Sequence, residues 1–519
     1  MRVRTNSAIN ELDVVINSSK KLRDSSRLNR NIITVALLSV LIIGCSSPSG
    51  LSDHNAKGIV GENMPAQWQV KAVDSSEENQ VSDAWLKSFD DNALEEMITY
   101  ALTHNFQLNA DRYNVDLARE RLKVSTASDF PELSLSLDNT RRKQVSNSGE
   151  TSYQTSADIG IDLRYELDLW GKLSDEQNQD RLDYAAAQAN FQENKLNLVA
   201  KISKAWFDLI QAQQLLNLYQ ERAENLQRNL SMIQSSYELG LNDALDVYLT
   251  KNTVNQELSR VAQQQQIVQV NSRALELLLG NYPLVKEINT KKLPLINTEI
   301  NLGLPAQLLT RRADIQAQWL ALLALDAGLA VAHKQRFPSL NLNANINDSS
   351  NELSNLLNGD ALAWSLIGSV TSPLFNAGRL ESLEQQAKLL VEQKEQQYLQ
   401  QVYQAFAEVE NSISERDSLN QRYAYYLTAK ENALAAEKLS FDQYLRGLVT
   451  YTTVLESQRR SFDAQTTVIQ LTNELLQNRV DIYRALGGNY LADSKQAAQS
   501  TNENSLLQAS LTHQKSMDK

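Results

Sequence analysis

Residues 130–137 read Phe-Pro-Glu-Leu-Ser-Leu-Ser-Leu, and residues 337–344 read Phe-Pro-Ser-Leu-Asn-Leu-Asn-Ala. In both stretches a proline is followed by apolar residues at alternate positions. Proline fixes φ, lacks an N–H donor and keeps the residue before it out of the helical region. Each stretch therefore predicts a change from helix to strand, with Pro131 and Pro338 as the swivels between the two.

The two stretches belong to an internal duplication. Residue 337 follows residue 130 by 207 positions, and further landmarks recur at the same spacing: Gly171-Lys172-Leu173 with Gly378-Arg379-Leu380, Gly240-Leu241 with Gly447-Leu448, and Gly280 with Gly487. A constant spacing without a net insertion predicts two copies of one unit. The predicted organisation is a signal peptide at 1–44, a lipidated linker at 45–91, repeats at 92–282 and 299–490 joined by a connection at 283–298, and a disordered tail at 491–519.

Each repeat predicts the same order of elements: a helix, two strands, a very long helix and an antiparallel return helix. Gly and Pro, which break helices, are scarce, with 17 and 8 in 519 residues. At 1.5 Å per residue, a helix of about 65 residues is roughly 100 Å long. The predicted helices span about 92–127, 173–237 and 245–280 in the first repeat, and about 303–335, 380–444 and 454–487 in the second.

The predicted strands alternate apolar and polar residues. In the first strand Leu133, Leu135 and Leu137 alternate with Ser134, Ser136 and Asp138. This pattern is typical of membrane β-barrel strands, although a soluble sandwich hairpin has it too. Four strands cannot close a barrel, because single-chain barrels have at least about 8 strands and an open edge leaves backbone groups unpaired in lipid. If the strands span a membrane, several chains must share one barrel.

An apolar run behind Arg27 and Arg30 ends at Ile42-Ile43-Gly44-Cys45. The run is too short to span a bilayer, which needs about 20 apolar residues, and has the form of the apolar core of a signal peptide. Its end resembles the bacterial lipobox, in which the Cys is lipidated and becomes the mature N-terminus. Cys45 is therefore the predicted lipidation site, the alternative being a buried Cys after an ordinary signal peptide.

Composition excludes several functions. The formal net charge of −12 argues against a nucleic-acid surface, which needs basic residues to displace counterions. A mean hydropathy of −0.40 argues against a bundle of membrane helices. With one Cys, four dispersed His and no phosphate-binding loop, His-Glu-x-x-His or Gly-x-Ser-x-Gly motif, the sequence predicts no enzyme, no metal site and no cofactor.

The lipobox, the duplicated Phe-Pro hairpins and the long helical hairpins together resemble the TolC-like outer-membrane efflux proteins. The segment 304–315, Leu-Pro-Ala-Gln-Leu-Leu-Thr-Arg-Arg-Ala-Asp-Ile, is similar to a signature of the NodT-type lipoproteins that serve resistance-nodulation-division pumps, with Ala313 where Pro is usual. The resemblance implies a homotrimer with a twelve-stranded outer-membrane barrel, four strands per chain, continued by a tunnel of twelve periplasmic helices. It implies two protein partners, a membrane-fusion (adaptor) protein and an inner-membrane pump, with the outer-membrane lipid around the barrel.

The same resemblance assigns roles at the two hairpin tips. Gly240, Leu241, Gly447 and Leu448 match the tips that contact the adaptor. Glu456 matches a position at which relatives have a lumen-facing Asp in the closed constriction, and Thr452 lies one turn before it. These two residues are the predicted periplasmic gate, with three copies of Glu456 forming an acidic ring that favours cations and resists closure until it is screened or protonated.

The implied function is passive conduction of small molecules, such as drugs and toxic compounds, to the exterior. Two alternatives remain open at this stage. A channel of the same superfamily can serve type I protein secretion or metal-ion efflux, although few His and only five Met weigh against a lumen dedicated to soft metals. A non-conducting periplasmic coiled-coil lipoprotein predicts soluble hairpins and leaves the duplication unexplained.

Overall fold

The computed structural model describes residues 68–69, 84–241, 243–286, 292–294, 300, 302–356 and 361–490. The predicted signal peptide, Cys45 and the tail at 491–519 lie outside the described residues. The chain forms two compact units. One contains residues 124–179 and 325–391, which include every strand described below, and the other contains most of the helical residues.

The helices follow the predicted order and differ from it in their bounds. The two longest, α3 and α6, have 67 residues each and start 207 positions apart. The helices are α1 Asn92–His104, α2 Phe106–Ala127, α3 Lys172–Glu238, α4 Ala244–Leu279, α5 Ala313–Lys334, α6 Arg379–Leu445 and α7 Tyr451–Ala485.

The helix predicted over about 92–127 is interrupted at Asn105, which is a correction to the sequence reading. The Asn105 side-chain oxygen accepts the Leu108 backbone N–H at 2.8 Å, and its amide donates to the Leu278 carbonyl at 2.8 Å. Asn side chains that bond to nearby backbone groups compete with the helix ladder and favour helix starts. The buried Asn105 therefore ends α1 and caps α2.

The helix predicted from about residue 303 starts instead at Ala313. It follows a 3-10 turn, Pro305–Gln307, and a single helical turn, Leu308–Arg311. Ala313 occupies the first position of α5, so Ala in place of the usual Pro falls only at the start of a helix, as predicted. Among the described helices, α5 alone is long and apolar enough to cross a membrane by length and composition. Its buried residues, including Ile315 and Leu322, belong to the packed interior.

The strands form one antiparallel sheet in the order β1-β2-β3-β4. Its members are β1 Glu132–Val145, β2 Thr151–Leu167, β3 Ser339–Ser350 and β4 Ala363–Thr371. The first repeat supplies β1 and β2, the second supplies β3 and β4, and the repeats meet where β2 pairs with β3. Strands β1 and β4 are the two edges of this sheet.

One face of the sheet is apolar across all four strands. Because directly paired residues share a face, the rung Leu135, Ile161, Ile346 and Trp364 lies on one side. All four side chains are at least half exposed, and Trp364 is 76% exposed. The other face carries the polar rung Ser134, Asp162, Asn345 and Ser365, in which the Asn345 amide donates to Asp162 at 2.7 Å. The predicted alternation therefore forms two chemically opposite faces.

Candidate functional site

Both hairpin tips use the same backbone geometry. Gly240 and Gly447 have φ of 73° and 70°, the left-handed region that favours glycine. Gly240 N–H bonds to Tyr237 O at 2.9 Å, and Leu241 N–H bonds to Ser236 O at 2.9 Å. These are the two bonds of a Schellman C-cap. The equivalent bonds of Gly447 and Leu448 are 2.8 and 3.0 Å long, so both long helices end as the sequence predicts.

The ends of the two hairpins share one small core. Ile233 on α3, Val247 on α4 and Tyr451 and Val454 on α7 are buried against one another. The Tyr451 ring has no exposed surface, lies 5.1 Å from the Tyr444 ring between centroids, and has a pKa raised by burial. Further apolar side chains pack around this core, which we call the tip core: Leu230, Phe441, Tyr444 and Leu455. The tip core fixes the two hairpins together by burial of apolar surface.

The first tip exposes an apolar patch around Gly240. Leu239 and Leu241 are 75% and 74% exposed, and both flank the capping glycine. The patch, called the first-tip patch below, consists of Tyr237, Leu239, Leu241, Leu245 and Tyr248. Large exposed apolar patches are typical of surfaces that bind proteins, membranes or ligands. The second tip exposes Leu448 to a similar extent, but the helix that follows it, α7, carries charged residues.

Glu456 is half-exposed and is neutralised by its own helix. Arg459 Nη2 and Arg460 Nε each donate to Glu456 Oε1 at 2.8 Å, and Arg459 Nη1 donates to Asp463 Oδ2 at 3.1 Å. These hydrogen bonds, Arg459 first, lower the pKa of Glu456 to about 2. Glu456 belongs to a cluster with two charges of each sign and is therefore not an isolated acid. We call this cluster, Glu456, Arg459, Arg460 and Asp463, the second-tip cluster.

Thr452, the other predicted gate residue, lies in the first turn of α7. Its hydroxyl is 2.7 Å from the Thr450 hydroxyl. Thr452 and Glu456 are four residues apart on one helix and therefore lie on the same side of it. The structure thus brings the two predicted gate residues together with Arg459 and Arg460, which the sequence analysis did not consider. Basic residues three and four positions after an acid in a helix are the signal that could have identified them.

The signature segment supplies a buried charge network. Arg312 is 4% exposed, and its guanidinium contacts Asp314 at 2.8 Å, Glu408 at 2.9 Å and the Ala485 carbonyl at 3.2 Å. Burial alone would lower the pKa of Arg312, but the hydrogen bonds and charges of Asp314 and Glu408 raise it instead. The network ties the start of α5 to α6 and the end of α7. Only tertiary contacts identify Glu408 as a partner.

The long helices carry a second group that sequence reasoning missed. One face of α3 is apolar at Ala223, Leu226 and Ile233, which are all buried. Beside it, Arg222 Nε lies 3.4 Å from the buried Glu257 carboxylate, and the Arg222 guanidinium lies 3.9 Å from the centre of the Phe462 ring. Burial lowers the pKa of Arg222 and raises that of Glu257. Arg222 thereby links α3 to both α4 and α7.

The two predicted swivels occupy the connections between helix and strand. Pro131 follows the end of α2 and directly precedes β1, and Pro338 follows the end of α5 and directly precedes β3. The Pro338 carbonyl accepts the Trp170 indole N–H at 2.6 Å, and the Trp170 ring packs edge-on against Phe337. Within the described ranges, no group of three or more His, Cys, Asp or Glu is arranged to hold a metal ion.

Comparison with known proteins places these features in a family. The model of the outer membrane efflux protein family matches residues 97–281 and 304–488, two segments that start 207 residues apart. The chain is 27% identical over 437 residues to the cation efflux system protein CusC of Escherichia coli O6:H1, covering 82% of the chain and 93% of CusC. It is 27% identical over 488 residues to the antibiotic efflux pump outer membrane protein ArpC of Pseudomonas putida, covering 91% and 98%.

A third relative is the probable outer membrane lipoprotein SilC of Salmonella typhimurium, 27% identical over 412 residues, with 78% of the chain and 88% of SilC covered. The solved structure of the outer-membrane channel OprN is similar with a TM-score of 0.76 and 25% identity, covering 82% of the chain and 97% of OprN. The predicted fold class is confirmed: the described residues are mainly helical with a four-stranded antiparallel sheet, in the architecture of trimeric outer-membrane channels with a barrel and a helical tunnel.

The predicted location in the outer membrane and the predicted channel function are confirmed by the same relatives. The family is one of efflux channels and not a family of enzymes. Because the family model matches both repeats of the duplication, the chain belongs to the outer membrane efflux protein family.

Proposed function

We propose that three copies of this chain close one twelve-stranded barrel and conduct small molecules out of the cell. The observation that carries the proposal is the sheet itself, which has an exposed apolar face and two edge strands, β1 and β4. Edge strands in lipid need partners for their backbone groups. Pairing of β1 with β4 of the next copy satisfies both edges, and three copies provide twelve strands.

Extraction and reconstitution test this proposal. The full-length protein in mild detergent is expected to have the mass of three chains, and in planar bilayers it is expected to give discrete conductance steps. A stable monomer without conductance contradicts the proposal and favours a non-conducting stalk.

The proposed cargo is small organic compounds, with metal ions as the second candidate. ArpC is named for antibiotic efflux and CusC for cation efflux, and the chain is 27% identical to each. An outer channel does not need to bind its cargo, so the partner pump decides what is delivered. Deletion in the native bacterium is expected to increase susceptibility to antibiotics and dyes. Increased susceptibility to metal cations alone would instead support metal ions as the cargo.

The proposed partners are a periplasmic adaptor protein and an inner-membrane resistance-nodulation-division pump. Gly240, Leu241, Gly447 and Leu448 are proposed to contact the adaptor, and the exposure of Leu241 and Leu448 supports this role. Site-specific photocrosslinkers at these two leucines are expected to capture the adaptor in intact cells. A crosslinker at Tyr113, a similarly exposed aromatic on α2, is the control and is expected to capture less.

Thr452 and Glu456 are proposed to belong to the periplasmic gate. The ion pairs of Glu456 support a gate in which Glu456 acts together with Arg459 and Arg460. Single-channel conductance of Glu456→Ala tests the role, because an unchanged conductance assigns Glu456 to an ordinary solvated helix surface. The matched control is Glu474→Ala, an exposed acid farther along the same helix that pairs with Arg422.

Cys45 is proposed to carry the lipid anchor. Its support is the sequence context, and SilC provides a relative named as a lipoprotein. Metabolic labelling with palmitate is expected to mark the wild-type protein and not Cys45→Ser. Since one acyl chain binds a membrane only marginally and several bind it stably, loss of label with unchanged channel activity would show that the anchor and the barrel act independently.

A further inference from the structure

The hairpin of β1 and β2 carries two cations and an aromatic ring on its apolar face, beyond the apolar rungs. Side chains alternate along a strand, so Arg141 and Lys143 share the face of Leu137. Lys143 pairs directly with Tyr153. The Arg141 Cζ and Lys143 Nζ atoms lie 5.3 and 6.0 Å from the centre of the Tyr153 ring. We name Arg141, Lys143 and Tyr153 the outer basic patch.

The outer basic patch lies at the depth expected for lipid headgroups. The apolar side of β2 runs from Leu167 to Ile159, about 27 Å along the strand or about 21 Å of thickness at a tilt of about 40°. Ile159 pairs with Leu137, the last leucine of β1. Arg141 follows four residues later, about 13 Å along the strand or about 10 Å higher by the same geometry. The helices join the other end of each strand, so the patch belongs to the external leaflet.

No carboxylate lies beside the patch on its own face of the described strands: the acid on this face, Asp348, belongs to the rung of Leu137 and Ile159, on β3 and four residues short of Arg141. In the rungs from Asn139–Ala157 to Val145–Thr151, the residues on this face are all neutral apart from Arg141 and Lys143. Asp138 and Asp158 pair with each other on the opposite face. Neither Arg141 nor Lys143 forms an ion pair with any residue that the structure describes. The two positive charges are therefore available to an external anion.

We propose that the outer basic patch binds the phosphate groups of the phosphorylated glycolipid in the outer leaflet. Arg pairs with phosphate through two parallel hydrogen bonds, and Lys acts as a point charge beside it. Tyr153 supplies an amphipathic ring at the boundary between acyl chains and headgroups. The proposal rests on the proposed function only in placing the sheet in the membrane, and it adds a specific lipid contact.

Binding of fluorescent lipid A to the full-length protein in neutral detergent tests the proposal. Each basic residue near an anionic surface contributes a factor of about five, so Arg141→Gln with Lys143→Gln is expected to weaken binding about thirtyfold. The matched control is Arg142→Gln, which removes one cation from the opposite face of the same strand and is expected to leave binding within about twofold. The exchange Arg141→Lys with Lys143→Arg keeps both charges and is expected to retain binding.

Three results would overturn the proposal: unchanged binding by the double Gln variant, an equal loss in Arg142→Gln, or competition by inorganic phosphate at the concentration of lipid A. If the double variant is misfolded, loss of binding in the exchange variant, measured on trimers that conduct, also overturns it. Conductance separates the two proposals. Wild-type protein that binds lipid A without conducting contradicts the proposed function alone, and conducting protein that ignores lipid A contradicts this inference alone.

Discussion

The two hairpin tips have the same backbone conformation but differ in the chemistry of their side chains. Both end a 67-residue helix with a left-handed glycine and the same pair of capping bonds. The second-tip residues Glu456, Arg459, Arg460 and Asp463 correspond, 207 positions earlier, to Leu249, Asn252, Thr253 and Gln256. These four positions are thus uncharged in the first tip, which exposes an apolar patch, whereas in the second tip all four carry a charge.

Comparing the tips separates the residues that the chain reversal requires from the residues that give each tip its surface chemistry. A chain reversal after a long helix needs glycine in either repeat, so the glycines alone reveal no function. The residues that diverged are exposed or half-buried, and their chemistry suits contact in the first tip and electrostatic control in the second. Val247 and Val454, which are repeat equivalents, both lie in the tip core and join the two tips.

The largest expected effect on local stability comes from replacing a tip-core residue of the second repeat by its equivalent in the first. The repeat equivalent of Tyr451 is Ala244, so Tyr451→Ala removes the one aromatic ring of the buried set. The expected cost is about 3 kcal/mol of local opening free energy, from lost burial and a residual cavity. Hydrogen exchange at the starts of α4 and α7 measures it. Val247→Ala and Val454→Ala provide the control pair, and unequal costs for them would contradict a shared core.

Substitution of the capping glycines tests the similarity of the backbones. Gly240→Ala and Gly447→Ala place a Cβ where no heavy atom lies within 4 Å, so only the positive φ opposes them. Each is expected to cost about 1 kcal/mol, and the two costs should agree. Thermal stability of the extracted protein provides the measurement. A much larger cost at one tip would show that its glycine also makes room for a close neighbour.

Charge substitutions test the difference between the tips. Glu456→Gln removes the carboxylate that Arg460 pairs with, while Arg459 keeps Asp463, and it gives each second-tip cluster one net positive charge. The ratio of anion to cation permeability is expected to rise by a factor of about two to five, the effect of one charge in water at about 8 to 4 Å. Arg460→Gln is expected to shift the ratio in the opposite direction. Reversal potentials in a salt gradient give the permeability ratio of both variants. Lys251→Gln, which removes one charge near the first tip, is the variant for comparison.

Acidification is expected to have the smallest effect on the second tip. The pKa of Glu456 is lowered to about 2, chiefly by its hydrogen bond from Arg459. A lowered pKa means that the ion pairs are fully present above the ordinary Glu pKa and are lost only as the pH falls through about 2. Channel closure that depends on Glu456 should therefore be constant from pH 7 to pH 4. A Glu456-dependent change near pH 5 would contradict the pairing.

Local patterns determined much of this molecule. Alternation after Pro131 and Pro338 was sufficient to predict the strands, because side chains on a strand have a period of two regardless of distant contacts. Gly240 and Gly447 marked the helix ends, because only glycine readily adopts a positive φ. The repeated spacing related the two halves. The same patterns predicted the family and with it the channel.

Contacts between distant segments decided the rest. Nothing near Asn105 in the sequence indicates that its amide bonds to Leu278 and interrupts a helix, and nothing near Arg312 indicates Glu408. Glu456 was predicted as an acid on a tip, but side-chain packing decided that two arginines neutralise it. Sequence periodicity fixes which face a residue occupies, whereas the charge and burial of that residue depend on partners that only the folded chain brings together.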